Sequence, residues 1–244
     1  MSLRRHRYSD RMDTSSSPSR TAAERGRSFE RTALLAGATG LIGRALLPML
    51  QASPSYAHTH VLVRRTLVGA VADARITFHV VDFGQLPELP PIDDCFIALG
   101  TTIKVAGSQA AFREVDFDFV VNTARAARAV GATRLAVTSA LGADAQSSVF
   151  YNRVKGEMQA AVGALGFESV VIAQPSLLLG DRAAIGQPVR STEVWAARLL
   201  APAMWLVPRS VRPIEASKVA AALLAATLDA APGMRVLSSS QMQG

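Results

Sequence analysis

At 244 residues, 49% of them hydrophobic and 18% charged, the chain has ordinary globular composition and enough length for one large α/β domain with a substantial core. Its net charge of +7 is unevenly held: residues 1–31 carry eight arginines against four acids, and the other 18 basic and 15 acidic groups nearly balance, which excludes a nucleic-acid footprint on the globular part. The longest apolar runs, near LLAPAMWLV and VAAALLAATL, are too short to span a bilayer, and the single Cys95 excludes an internal disulfide.

A lone cysteine fits a reducing compartment, so the expectation is a cytoplasmic protein without nucleic-acid or membrane partners. Residues 1–31 open on an Arg- and Ser-rich stretch with almost no aliphatic side chains, too little apolar surface to offset ordering entropy. They are expected as a disordered basic tail. It lacks the apolar centre of a secretory signal, its acids are unusual for a transit peptide, and Met12 inside it offers an alternative start.

Beyond the tail, strands and helices alternate. TALLAG reads as a short buried strand, LIGRALLPMLQA as a helix, HTHVLVRR and RITFHVVD as strands, and DDCFIALG as a fourth strand. A long helix is expected over 108–130, with Phe112, Val115, Phe119, Thr123, Ala126 and Val130 on one face and Gly131 just past its end. RLAVTSA is a fifth strand, YNRVKGEMQAAVGAL a helix and ESVVIAQP a sixth strand. After Pro175 come a long loop, the apolar helix VWAARLLAPAMWLVP, a second loop leading into an Ala-rich helix, and a last strand in GMRVLSSSQ. This order implies an α/β, doubly wound parallel sheet spanning 32–244, with residues 176–215 forming a small substrate lobe rather than a separate domain.

Gly37, Gly40 and Gly43 sit three residues apart between the first strand and the first helix. Glycine there is either a plain structural turn or a cradle for a diphosphate. In a cradle the first glycine permits the turn, the second lets backbone approach phosphate, and the third packs helix on strand. The strand–turn–helix context favours the cradle, although the spacing differs by one residue from the commoner Gly-x-Gly-x-x-Gly. Thr39, Leu41 and Ile42 belong to the same turn and helix start, where free amides would face the phosphates. At the end of the second strand stand Arg64 and Arg65, where an acid would select NAD. They are either a solvated basic pair or a site for the 2′-phosphate of NADP, so NADP(H) is expected over NAD(H).

Tyr151 and Lys155 lie four residues apart at the start of a helix, on one face, and Ser139 lies twelve residues before Tyr151 at the end of the fifth strand. With the glycine turn in this order, the chain resembles the short-chain dehydrogenase/reductases, in their atypical or extended, epimerase-like branch. ALGTTIKVAGS, FREVDFDFVVNTARAARAVGATRLAVTSALGAD, YNRVKGEMQ and PSLLLGDR resemble more closely the small oxidoreductases related to the Tat-interacting protein of 30 kDa. The resemblance covers roughly residues 32–240 and implies an NAD(P)-binding Rossmann-like fold and hydride transfer.

By that resemblance Tyr151 gives a proton to the developing alkoxide. Lys155 favours its phenolate and contacts the nicotinamide ribose, and Ser139 hydrogen-bonds the substrate oxygen. It also places Leu99, Gly100 and Thr101 beside the cofactor, and Pro175, between Gln174 and Ser176, near the nicotinamide. Asp82 would contact the adenine or, equally, cap a following short helix. Arg182 and Arg212 either face an anionic substrate or, the favoured reading, are solvated; His58, His60 and His79 are read as structural, and no metal site is expected. Two departures, Asp116 where Asn is common and QPS where Arg-Pro-Gly is common, speak with the short lobe against a sugar-nucleotide substrate. The leading reading is an NADP-dependent oxidoreductase acting on a small carbonyl or alcohol, as a monomer or homodimer. The alternatives are an NADP-binding regulatory or protein-interaction module without turnover, and an epimerase-like isomerase.

Overall fold

The computed structural model describes residues 31–67, 73–179, 208 and 210–243. The run RTALLA forms β1 (Arg31–Ala36), whose last four residues are fully covered, as a central parallel strand between two helix layers requires. It leads into α1 (Leu41–Ala52), β2 (Tyr56–Val63), β3 (Ile76–Val80) and β4 (Asp94–Ile97). Then come α2 (Ile103–Ala106), α3 (Gln109–Arg113), a π turn (Glu114–Asp118), α4 (Phe119–Ala129), β5 (Arg134–Thr138), α5 (Phe150–Gly163) and β6 (Ser169–Gln174). The described C-terminal part holds β7 (Leu178–Leu179), β8 (Ile214–Glu215), α6 (Ala216–Asp229), β9 (Gly233–Ser238) and α7 (Ser239–Met242).

Seven strands form one parallel sheet in the order β3-β2-β1-β4-β5-β6-β9. The fold is the doubly wound α/β sheet, and its order reverses between β1 and β4, where a crevice opens at the carboxyl ends of the strands. Successive strand residues feed opposite layers. Leu35, Val61, Phe96 and Val171 pack under α1 and α6 with Leu46, Leu50, Val219 and Leu223. Leu34, Leu62, Ile97 and Val137 pack under α4 and α5 with Val120, Ala124, Met158 and Val162. Among the described residues no helix is long and apolar enough to cross a membrane.

Three expectations need adjusting. Arg31, assigned to the tail, opens β1, and its guanidinium pairs with buried Asp94, which also accepts the Tyr56 hydroxyl at 2.6 Å. Burial pushes the Asp94 carboxyl up to about 6 despite the opposing pull of Tyr56 and Arg31. Residues 1–30, Arg182 and the expected apolar helix VWAARLLAPAMWLVP lie outside the described residues, so only the ends of the expected lobe are seen, paired as β7 and β8. The stretch 108–130 is helical but not uniform. A π turn inside it re-phases the buried stripe, which runs Phe112, Asp116, Val120, Ala124 and Ala127 and leaves Val115, Phe119, Ala126 and Val130 half-buried.

Candidate functional site

The three glycines divide their work. Gly37 has φ of 92°, and a Cβ there would lie 2.4 Å from the Ala98 carbonyl oxygen, so the turn closes against the end of β4 only without a side chain. A Cβ on Gly43 would lie 2.0 Å from the Gly37 oxygen, so α1 packs on the turn only because this position is bare. Gly40 is different: its Cβ would meet nothing closer than 3.5 Å, an ordinary contact. The fold does not require glycine there, yet Gly40 lines the crevice. It is also the N-cap of α1 and supplies no side-chain cap, so the helix opens with uncapped amides beside Leu41 and Ile42, both on the cleft wall.

The cleft, about 240 Å³, brings Gly40, Leu41 and Ile42 together with Leu99, Gly100, Thr101, Ser139, Tyr151, Lys155 and Pro175. Ser139 follows β5 directly; its backbone N–H donates to the Ala173 carbonyl at 2.7 Å, which locks it to the end of β6. Its hydroxyl oxygen accepts from Gln159 Nε2 at 2.6 Å, and Gln159 Oε1 accepts from Gln174 at 3.2 Å. With one lone pair taken, the Ser139 proton is left to point elsewhere. Tyr151 stands in the first turn of α5, its ring 5.2 Å from that of Phe112. One turn on, the side chain of Lys155 is only 4% exposed, and its Nζ lies 2.6 Å from Oδ1 of Asp116, which is 0% exposed. The other Asp116 oxygen accepts the Thr101 N–H at 2.8 Å. Thr138 also lines the cleft, and its buried hydroxyl has no hydrogen-bond partner among the described residues.

Other expected residues lie away from the cleft wall. Thr39 is exposed on the glycine turn, and Arg64 and Arg65 are exposed just beyond the end of β2, without an ion-pair partner among the described residues. Asp82 is exposed and accepts the Gly84 N–H at 2.8 Å, closing a turn; no helix follows it, so the capping role expected of it is not what it does. The Arg212 carbonyl accepts from Ser176 and from Gln243. His60 Nδ1 lies 2.9 Å from His79 Nε2 on the β2–β3 edge, and among the described residues no cluster could hold a metal.

Asp116, Gln159 and Thr138 are the site residues that sequence reasoning passed over. Asp116 had a signal: it stands at four-residue spacing between Phe112 and Val120, an acid in an apolar stripe that needs a buried partner. Gln159 stands four residues beyond Lys155 on the Tyr151 face. Thr138 carried none.

No protein-family model matches the chain. The protein fmp52, mitochondrial, of Emericella nidulans is 37% identical over 156 residues, covering 61% of this chain and 67% of the relative. FMP52, mitochondrial, of Lodderomyces elongisporus is 32% identical over 197 residues, covering 75% and 81%. These mitochondrial names overturn the cytoplasmic expectation: a lone cysteine reports the redox poise of a compartment and not which compartment it is. Among solved structures, MoeE5 in complex with UDP-glucose and NAD superposes with a TM-score of 0.64 at 16% identity, covering 84% of this chain and 75% of that one. The ADP-L-glycero-D-manno-heptose-6-epimerase of Helicobacter pylori gives 0.63 at 18% identity over 86% and 77%. A short chain dehydrogenase family protein of Francisella tularensis gives 0.58 at 10% over 88% and 100%. At these identities the likeness is one of fold.

Proposed function

The chain belongs to the family of the FMP52 proteins, and on that premise we propose that it is an NADP(H)-dependent oxidoreductase of the short-chain dehydrogenase type, acting on a small carbonyl or alcohol. The finer likeness to the oxidoreductases related to the Tat-interacting protein of 30 kDa belongs to the same proposal. The observation that supports it best is the shared cleft. Ser139, Tyr151 and Lys155 face one opening with Gly40, the glycine whose missing side chain the fold does not demand. Room at Gly40 beside uncapped amides fits a diphosphate, so the residues present suit a dinucleotide.

In this reading the amides at Leu41 and Ile42 hold the diphosphate, Leu99, Gly100, Thr101 and Pro175 flank the cofactor, and Asp82 meets the adenine. Arg64 and Arg65 take the 2′-phosphate. The nicotinamide supplies or accepts the hydride. The Ser139 proton, freed by the Gln159 contact, is donated to the substrate oxygen and fixes the carbonyl for attack. Tyr151 exchanges its proton with that oxygen, and Lys155 holds the cofactor ribose and the phenol in register.

NADPH fluorescence titration together with a carbonyl panel tests this. Saturable binding is expected, and Tyr151→Phe lowers kcat by about 100-fold or more while binding persists. Calorimetry without heat from either nucleotide, in either oxidation state, refutes the proposal. A protein that binds NADPH and oxidises none across the panel is instead a binding module without turnover.

A further inference from the structure

We propose that Asp116 is a positioning residue that pins Lys155 and neutralises its charge, leaving the Tyr151 phenol protonated and biasing the site toward carbonyl reduction. This rests on the oxidoreductase reading above. An ammonium beside a phenol favours phenolate, and a carboxylate of equal charge beside that ammonium opposes it. Here the carboxylate is in direct contact with Lys155 at 2.6 Å, and both are shut from water that would otherwise screen them. Asp116 cannot swing aside, because the Thr101 N–H holds its second oxygen. The backbone that delivers it is a π turn, a geometry proteins keep mainly at functional sites.

The surrounding charges leave this pair to itself. On α5, Glu157 pairs with Arg113 of α3, and Arg153 donates to the Ser147 carbonyl at 2.8 Å. Glu114 and Asp118 on the π turn, Lys104 on α2, Arg125 on α4 and Asp144 in the loop over α5 are all exposed, and Arg128 on α4 donates to the Gly166 carbonyl. Among the described residues Asp116 and Lys155 are the only charged groups on the cleft wall.

The direction of the bias follows from where the proton goes. In reduction, hydride reaches the carbonyl carbon, the carbonyl π pair becomes an alkoxide, and that oxygen takes the Tyr151 proton as the nicotinamide is oxidised; solvent then reprotonates the phenolate. A phenol that stays protonated is ready for this direction, whereas alcohol oxidation needs the phenolate as base.

The test is the phenolate absorbance of the nucleotide-free protein against pH, taken as the difference from Tyr151→Phe. Tyr56 stays silent because burial and Asp94 push its ionisation far up. Asp116→Asn keeps an oxygen for the Thr101 amide and removes the charge. It moves the Tyr151 titration to lower pH by about one unit, a roughly tenfold rise in phenolate at neutral pH. The low-pH limb of alcohol oxidation moves with it. An unmoved titration in a folded variant overturns the proposal. Should Asp116→Asn fail to fold, Asp116→Ser, which also leaves an acceptor for Thr101, serves the same comparison. The titration needs neither cofactor nor substrate, so its failure refutes charge quenching and leaves the oxidoreductase reading standing, while loss of nucleotide binding does the reverse.

Discussion

Replacing Lys155 by Met keeps the aliphatic volume of α5 and removes one charge. The partner left behind, Asp116, has a fully buried side chain, and only the Thr101 N–H at 2.8 Å still answers it. A buried carboxylate stripped of its cation destabilises by about 3–5 kcal/mol, because the desolvation that the pair shared falls on one ion. For a domain of this size each kcal/mol is roughly 2–4 °C, so the midpoint of thermal unfolding falls by about 10 °C. Lys155→Met with Asp116→Asn removes both charges and should recover about 2 kcal/mol of that loss, a coupling energy typical of residues in contact. Urea unfolding followed by circular dichroism of the wild type, both single variants and the double measures it. If Lys155→Met costs less than about 1 kcal/mol and the two substitutions simply add, the pair is solvated in solution and the buried geometry does not hold there.

The glycine turn separates structure from function by two substitutions. Gly43→Ala places a methyl 2.0 Å from the Gly37 oxygen and should cost about 1–3 kcal/mol in urea unfolding, whereas Gly40→Ala should leave stability nearly unchanged yet weaken NADPH binding at least about tenfold by calorimetry. Arg64→Glu with Arg65→Ser should reduce NADPH affinity about 10- to 100-fold with little change for NADH; retained preference refutes the 2′-phosphate assignment. His60 is pulled down to about 4, first by burial and then by His58 and His79, so below about pH 6.5 the unfolded chain binds the proton that the folded one refuses. Stability from this group therefore falls as pH drops from about 6.5 toward 4, by about 1–2 kcal/mol after discounting for partial exposure, and His60→Thr should flatten that loss in urea titrations. Asp94, raised to about 6 by burial, acts in the opposite sense over part of this window, so the wild-type and His60→Thr curves must be compared with each other.

The sheet was legible because each strand carries its own evidence. RTALLA and DCFI are apolar enough to be buried on both faces, and the glycines between β1 and α1 announce a turn that must be tight. Helix α1 follows the expected LIGRALLPMLQA residue for residue, since the bare N-cap at Gly40 and the extended Ser53 bound it on both sides. The helix after β4 was legible in extent but not in phase. Period counting assumes 3.6 residues per turn, and the π turn at Glu114–Asp118 breaks that count at the point where Asp116 enters the core.

The site divides along the same line. Ser139, Tyr151 and Lys155 could be found because their roles fix their spacing, Tyr151 and Lys155 on one helical face and Ser139 at a strand end. Asp116 was read only as a departure from a motif, since linear sequence pairs it with Glu114 and Asp118 as a surface acid run. What sets it apart is a fifteen-residue return that brings the Thr101 amide to its carboxylate, and a thirty-nine-residue return that brings Lys155. The burial of an acid is legible only when its partner is known. Here the partner was already named for a different reason, as the lysine of the catalytic helix. A buried acid in the stripe facing that lysine therefore follows from two facts the sequence does contain: the apolar register of Phe112 and Val120, and a single cation across the cleft able to answer the charge.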